Sequence, residues 1–168
     1  MHIGLVIAVL GVSLWKGDWR HLNRYGLSIF YVISANLLYF FLCKDYLLWN
    51  NVPDFFPRSQ AGVDLLYTFI VLPGLILIYL SNYPEWTSIG KRALYIIYWV
   101  CGTFLLFLPF VITGRLVYQY GYQLWMDFFF YIVMYSLTLL HQSRRWLTYI
   151  LSALFISFLL WYFKVPLQ

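Results

Sequence analysis

Five polar residues occupy costly positions: Asn36, Asp64, Arg115, Asp127 and His141 each fall inside or at the rim of a long apolar run. An amide, carboxylate, guanidinium or imidazole in hydrocarbon needs a partner or a water path, so these five form the candidate polar or ligand site. Asn36, within Ser34-Ala35-Asn36, fits either an interhelical hydrogen bond or a place in a substrate path, and the hydrogen bond is the expectation. Asp64, Arg115 and Asp127 lie at similar depth near run ends. Arg115 is expected to pair with one or both acids, because its planar fork can serve two carboxylates. The alternatives are separate snorkelling groups or a ligand or lipid-headgroup site. His141 stands three residues before Arg144 and Arg145. With Lys16, Arg20, His21, Arg24, Lys91 and Arg92 it marks a basic side suited to anionic lipid headgroups.

Other chemistry has little to stand on. There is no HExxH, GxSxG, thiol pair or glycine-rich phosphate loop. His2, His21 and His141 do not recur at metal-ligand spacing. Cys43 and Cys101 read as small hydrophobes of the apolar segments. No catalytic residue, metal or cofactor is expected; the one arrangement left open is an enzyme built from Asp64, Asp127 and Arg115.

The elements that position these residues follow from composition. Of 168 residues, 63% are apolar and 10% charged, where a soluble domain carries about 25% charge. Mean hydropathy is +0.75. That excludes disorder, collagen and coiled coil, and leaves too little polar surface for a water-soluble globule. The class is an all-α polytopic membrane bundle in a single domain, residues 1–168. Membrane lipids are the first partner, with room for a membrane protein partner or homo-oligomer. The net charge of +5 sits in short loops, where it orients the chain rather than binding nucleic acid.

Six apolar segments are expected to span: 1–15, 25–43, 63–80, 93–113, 124–140 and 146–163. A crossing helix needs roughly 20 residues. The first segment, about 22 Å long at 1.5 Å per residue, is the one whose loss would leave five. It has no basic residue ahead of its apolar run and no Ala-x-Ala site after it, so it reads as a retained helix rather than a signal peptide. Gly4 and Gly11, one heptad apart, could form a close-packing seam or be a chance spacing. Loops between spans one and two, three and four, and five and six hold Lys16, Arg20, Arg24, Lys91, Arg92, Arg144 and Arg145 with two acids. The other side holds Lys44, Arg58, Arg115 and Lys164 with four acids. By the positive-inside rule, six spans put both termini outside. Trp15, Trp19, Trp49, Trp86, Trp125, Trp146 and Trp161 fall at segment ends, as in an aromatic belt. Residues 44–60 are too broken to span and too apolar to float free; they are expected on the outer interface, with a lid over the bundle as the alternative. Pro73-Gly74 and Pro109 should disturb their helices.

The second half carries a resemblance. It runs through Leu65-Leu66-Tyr67-Thr68-Phe69-Ile70-Val71-Leu72-Pro73, then Asn82-Tyr83-Pro84. After the fourth span comes Tyr118-Gln119-Tyr120-Gly121-Tyr122, then Phe130-Tyr131-Ile132-Val133-Met134-Tyr135 and His141. This resembles a family of small, uncharacterised multi-pass membrane proteins of endospore-forming Gram-positive bacteria. The chain departs from that family's pattern at Tyr122, where a tryptophan is usual, and at Gly114-Arg115, where an acid is usual. The resemblance implies a bacterial cytoplasmic membrane and a link to sporulation or the envelope, and it brings no catalytic residue. The functional expectation is a structural or accessory membrane protein, with a small-solute transporter or channel component as the alternative.

Overall fold

The computed structural model describes residues 1–54 and 59–166. Phe55, Phe56, Pro57 and Arg58, part of the 44–60 loop, lie outside them. The chain forms an all-α bundle of six helices. Helix α1 is His2–Lys16, and a short 3-10 turn, Trp19–His21, leads into α2, Leu22–Leu42. The third helix is built in three parts: α3 (Gln60–Leu66), a π-helical turn (Tyr67–Val71) and α4 (Leu72–Ser81). Then follow α5 (Ile89–Ile112), α6 (Leu124–Ser143) and α7 (Arg145–Tyr162). Five of the six are long and apolar enough to cross a membrane; α1, at 15 residues, is shorter.

Side-chain contacts fix the directions. His2 meets Tyr67, and the Asn82 amide reaches the Lys16 carbonyl, so α1 runs parallel to the third helix. Ser28 meets His141 while Asn36 meets Thr68, so α2 runs antiparallel to both α6 and the third helix. The bundle therefore alternates up and down through all six helices. Its two ends differ: one carries the Lys/Arg loops (the basic end), and the other carries two short strands (the strand end).

Those strands, β1 (Trp49–Asn51) and β2 (Leu116–Tyr118), pair antiparallel with Trp49 opposite Tyr118 and Asn51 opposite Leu116. They join the α2–α3 loop to the α5–α6 loop and satisfy backbone groups that a loop over an apolar bundle would strand. Leu48, only 2% exposed, is plugged beneath them with Cys43, Tyr122 and Phe163. The 44–54 portion of the loop thus folds onto the bundle end.

Local sequence explains the irregular turns. Proline lacks an N–H and crowds the carbonyl four residues before it. The disturbance expected at Pro73 takes the form of the wider π turn just ahead of it, where the Leu72 N–H reaches the Tyr67 carbonyl. At Gly74 a Cβ would sit 2.8 Å from Val9 Cγ1, so glycine lets α1 lie close against α4. Helix α5 continues through Pro109 and stops in a Schellman arrangement. Gly114 takes φ +67°, its N–H reaches the Val111 carbonyl, and the Arg115 N–H reaches the Phe110 carbonyl. The deepest core surrounds Tyr79 and Tyr135, both fully buried, with Ile76, Leu77 and Val100 packed around them.

Candidate functional site

At the strand end two carboxylates are held by neutral donors. Asp127, one turn into α6 and 7% exposed, accepts from Tyr122 OH at 2.9 Å on one oxygen and from Tyr118 OH on the other. Tyr118 comes from β2; Tyr122 follows the left-handed pair Tyr120 and Gly121, which turns the chain back to α6. Burial and then the charge and hydrogen bond of Asp127 push both phenols well above the usual tyrosine range, so they stay protonated as donors. Asp64, in α3, accepts from Asn51 Nδ2 of β1 at 2.9 Å.

Arg115 corrects the expected ion pair. Among the described residues it joins no salt bridge with Asp64, Asp127 or any other acid. Its position is set by its backbone: the N–H closes the α5 terminus and the carbonyl accepts from the Val52 N–H at 2.9 Å. The physical reason is desolvation. A buried ion pair must strip water from two charges, whereas a tyrosine hydroxyl or an amide satisfies a carboxylate oxygen with only one charge buried.

Asn36 does what its position predicts. Its Nδ2 donates to Thr68 Oγ1 at 2.7 Å, across α2 and the π turn, and Thr68 Oγ1 donates on to the Asp64 carbonyl at 2.7 Å. The π turn is thus a polar junction. On its other side Tyr67 OH lies 2.8 Å from His2 Nδ1, and His2 Nε2 donates to the Val52 carbonyl at 2.9 Å. His2 is fully buried. Asp54, beside it, touches the Met1 ammonium. Partial burial raises the Asp54 carboxyl, but the hydrogen bond and charge of that ammonium and the nearby His2 outweigh it and hold the group below the usual range.

The fifth candidate, His141, is remote from the other four. It lies at the basic end, 1% exposed, with Ser28 Oγ 2.8 Å from Nδ1, Tyr149 OH 3.2 Å from Nε2, and the Tyr31 ring stacked on it at 4.7 Å. It ties α2, α6 and α7 together instead of presenting to a headgroup. The acids at this end are more open: the half-exposed Asp18 meets His21 Nδ1 at 2.8 Å, and the exposed Glu85 pairs with Arg24.

A chamber of about 220 Å³ lies among α2, the third helix, α5, α6 and α7. Its walls are overwhelmingly apolar, and among the described residues Asp127 is the one charged side chain that lines it. Asn36, Asn51, Thr103 and Ser152 supply isolated polar points. No protein-family model, curated protein or solved structure matches this chain. The geometry itself must therefore carry the reading. Among the described residues no group of His, Cys, Asp and Glu could hold a metal.

Sequence reasoning missed His2, Asn51 and Tyr67 as polar partners. The signal for them was weak: each is one polar group in an aromatic or turn-forming setting, and only the fold brings residues 2, 52 and 67 together. Nothing in the sequence marked Tyr118 and Tyr122 as the donors to Asp127.

Proposed function

We propose that this chain is an accessory protein of the bacterial cytoplasmic membrane, acting through its lateral surfaces on lipid or a membrane partner rather than passing polar solutes. The observation that supports this is the way interior polar groups are used. Asn36 is spent on Thr68, Thr103 on Tyr135, Tyr79 on the Tyr135 carbonyl, and His141 on Ser28 and Tyr149. These local pairs are separated by aliphatic and aromatic layers. A hydrophilic solute would need a chain of polar groups joining both faces, and it would have to break these pairs to obtain one.

Broad apolar faces remain for lipid or a partner. Leu94, Tyr98, Leu105 and Ile112 of α5 and Ile150, Leu154 and Phe158 of α7 are all exposed. The Lys/Arg bias supports an orientation with both termini outside and the basic loops against anionic inner-leaflet lipid. The resemblance to proteins of endospore formers supports a role in the envelope or in sporulation.

Reconstitution in liposomes tests the reading. Efflux of ions, sugars and amino acids should match that from protein-free vesicles. Flux of any such solute that Asn36→Leu abolishes in a stably folded protein would replace this reading with a transporter. Cysteine tags at residues 1 and 168 should react from outside in intact cells.

A further inference from the structure

The chamber has a mouth as well as an interior. Tyr31, Ala35, Leu38 and Leu42 form one stripe along α2, at helical spacing, and all line the chamber. Ser152, Phe155, Ile156 and Leu159 form the facing stripe along α7. Toward the basic end the two helices are bridged by the bond between Tyr31 OH and Ser152 Oγ, 2.6 Å long. Toward the strand end they meet in the apolar cluster of Leu42, Cys43, Leu159, Leu160 and Phe163. Between these two closures Ala35 and Leu38 continue the α2 stripe, with Asn36 and Tyr39 beside them on the chamber wall. At mid-depth α2 and α7 each pack on α6 rather than on one another, so side chains alone separate the chamber from the hydrocarbon there.

The interior end of the chamber has a different chemistry. Asp127 reaches it with two oxygens that each already hold one tyrosine hydroxyl, and a carboxylate has about four acceptor sites in all. No lysine or arginine lines the chamber among the described residues, so nothing there balances the carboxylate. Tyr118, Trp49 and Phe130 offer aromatic faces in the same neighbourhood, which favour a cation further. Complementarity of charge therefore selects a cationic head and rejects an anionic one. The volume lies below the roughly 300–1,000 Å³ of ordinary small-molecule pockets, which suits one narrow hydrocarbon chain.

We propose that the chamber binds an amphiphile with a single hydrocarbon chain and a protonated amine head, which enters from the bilayer between α2 and α7 and sets its amine against Asp127. This goes beyond the accessory reading and does not rest on it, since a bound amphiphile needs no polar path.

The experiment uses the full chain in zwitterionic phospholipid nanodiscs and three dodecyl probes, each with a mid-chain diazirine and an amine, hydroxyl or sulfate head. Crosslinks are mapped by mass spectrometry and titrated against probe mole fraction in the bilayer. The amine probe should label 31–42 and 152–160 saturably, at a mole fraction about tenfold or more below that needed by the sulfate probe, a difference equivalent to one charge-selective contact. Ala35→Phe, which adds a ring to the α2 stripe, should suppress saturable labelling by the amine and hydroxyl probes alike. Asp127→Asn keeps an acceptor for the tyrosines and removes the charge; it should reduce the amine probe to the level of the hydroxyl probe. Should that variant fail to fold, the ranking of the three heads on the unaltered protein decides alone. Equal saturation by sulfate and amine would overturn the proposal. So would unsaturable labelling spread evenly over lipid-facing positions such as Ile97 and Leu105.

Discussion

The two ends of the bundle solve the same problem in opposite ways. At the basic end the half-exposed Asp18 meets His21 Nδ1 at 2.8 Å, and the exposed Glu85 takes a charged partner, Arg24, at 2.5 Å. At the strand end Asp64 and Asp127 lie deeper and take neutral ones, Asn51, Tyr118 and Tyr122. Water makes the difference. Exposed ions keep most of their hydration, so an ion pair costs little to form and contributes little. A carboxylate withdrawn from water does better with hydroxyl and amide donors than with a second charge that must also be desolvated. Residue type alone therefore does not say which groups will pair, and depth does not settle it either: Asp54, also at the strand end and with its side chain buried, takes the Met1 ammonium.

Four measurements would break or sharpen this contrast, ordered by expected effect. Asp127→Leu should be the most damaging, because it leaves two tyrosine hydroxyls without an acceptor at the edge of the core. The loss should be roughly 2–4 kcal/mol in detergent unfolding. A loss no larger than that from a surface acid would mean that the strand end is as solvated as the basic end.

Asn36→Leu should come next, on the order of 1 kcal/mol or less, as is usual for a hydrogen bond between membrane helices. The Thr68 hydroxyl keeps the Asp64 carbonyl as its acceptor, which limits the damage.

Alkaline titration follows. In the folded chain Tyr118 and Tyr122 hold their protons above the usual phenol range, through burial and the nearby Asp127. Below the unfolded value of about 10 both states are protonated and this contribution is complete. As pH rises past that value the unfolded chain releases its protons first, so stability falls. Tyrosinate absorbance should lag for these two residues until the protein unfolds, and Asp127→Leu should shorten the lag without removing it, because burial is the larger cause.

Smallest of all should be Arg24→Gln and Arg115→Gln, each within about 0.5 kcal/mol. The Arg115 result is the sharper of the two. A loss of several kcal/mol would restore the ion pair that the sequence led us to expect.

How far the sequence reached follows from the same contrast. Six helices were legible because length and hydropathy are one-dimensional properties; each of the six expected segments lies within a few residues of an observed helix. Asn36 was legible too, since an amide in mid-span has few choices. The partners of Asp64 and Asp127 were not. The pairing of β1 with β2 links residues 67 positions apart, and it carries Asn51 to Asp64 and Tyr118 to its place over Asp127. Three-residue strands inside loops leave no periodicity to read. Arg115 misled for a related reason: as the residue after Gly114 it terminates a helix through its backbone, and its charge hid that role. The chamber was invisible, because nothing in the order of residues reveals that α7 packs on α6 rather than on α2.

The shortness of α1 has a consequence for the bilayer itself. Its 15 residues lie alongside Tyr67–Asn82, with exposed Ile3, Ile7, Leu10 and Leu14 turned away from the bundle. That flank offers an apolar band of about 22 Å, whereas α5 beyond Lys91 and Arg92, residues 93–112, offers about 30 Å. Hydrocarbon of about 30 Å fits α5 and must thin beside its neighbour α1, which meets it through His2 and Phe110. The mismatch is thus local to the α1 flank, where the surrounding lipid must thin. Such asymmetry costs a fraction of a kcal/mol for each ångström of mismatch. It is relieved when a thin-membrane neighbour or a second short helix settles against α1, so membrane thickness alone gives this bundle a preferred side for company.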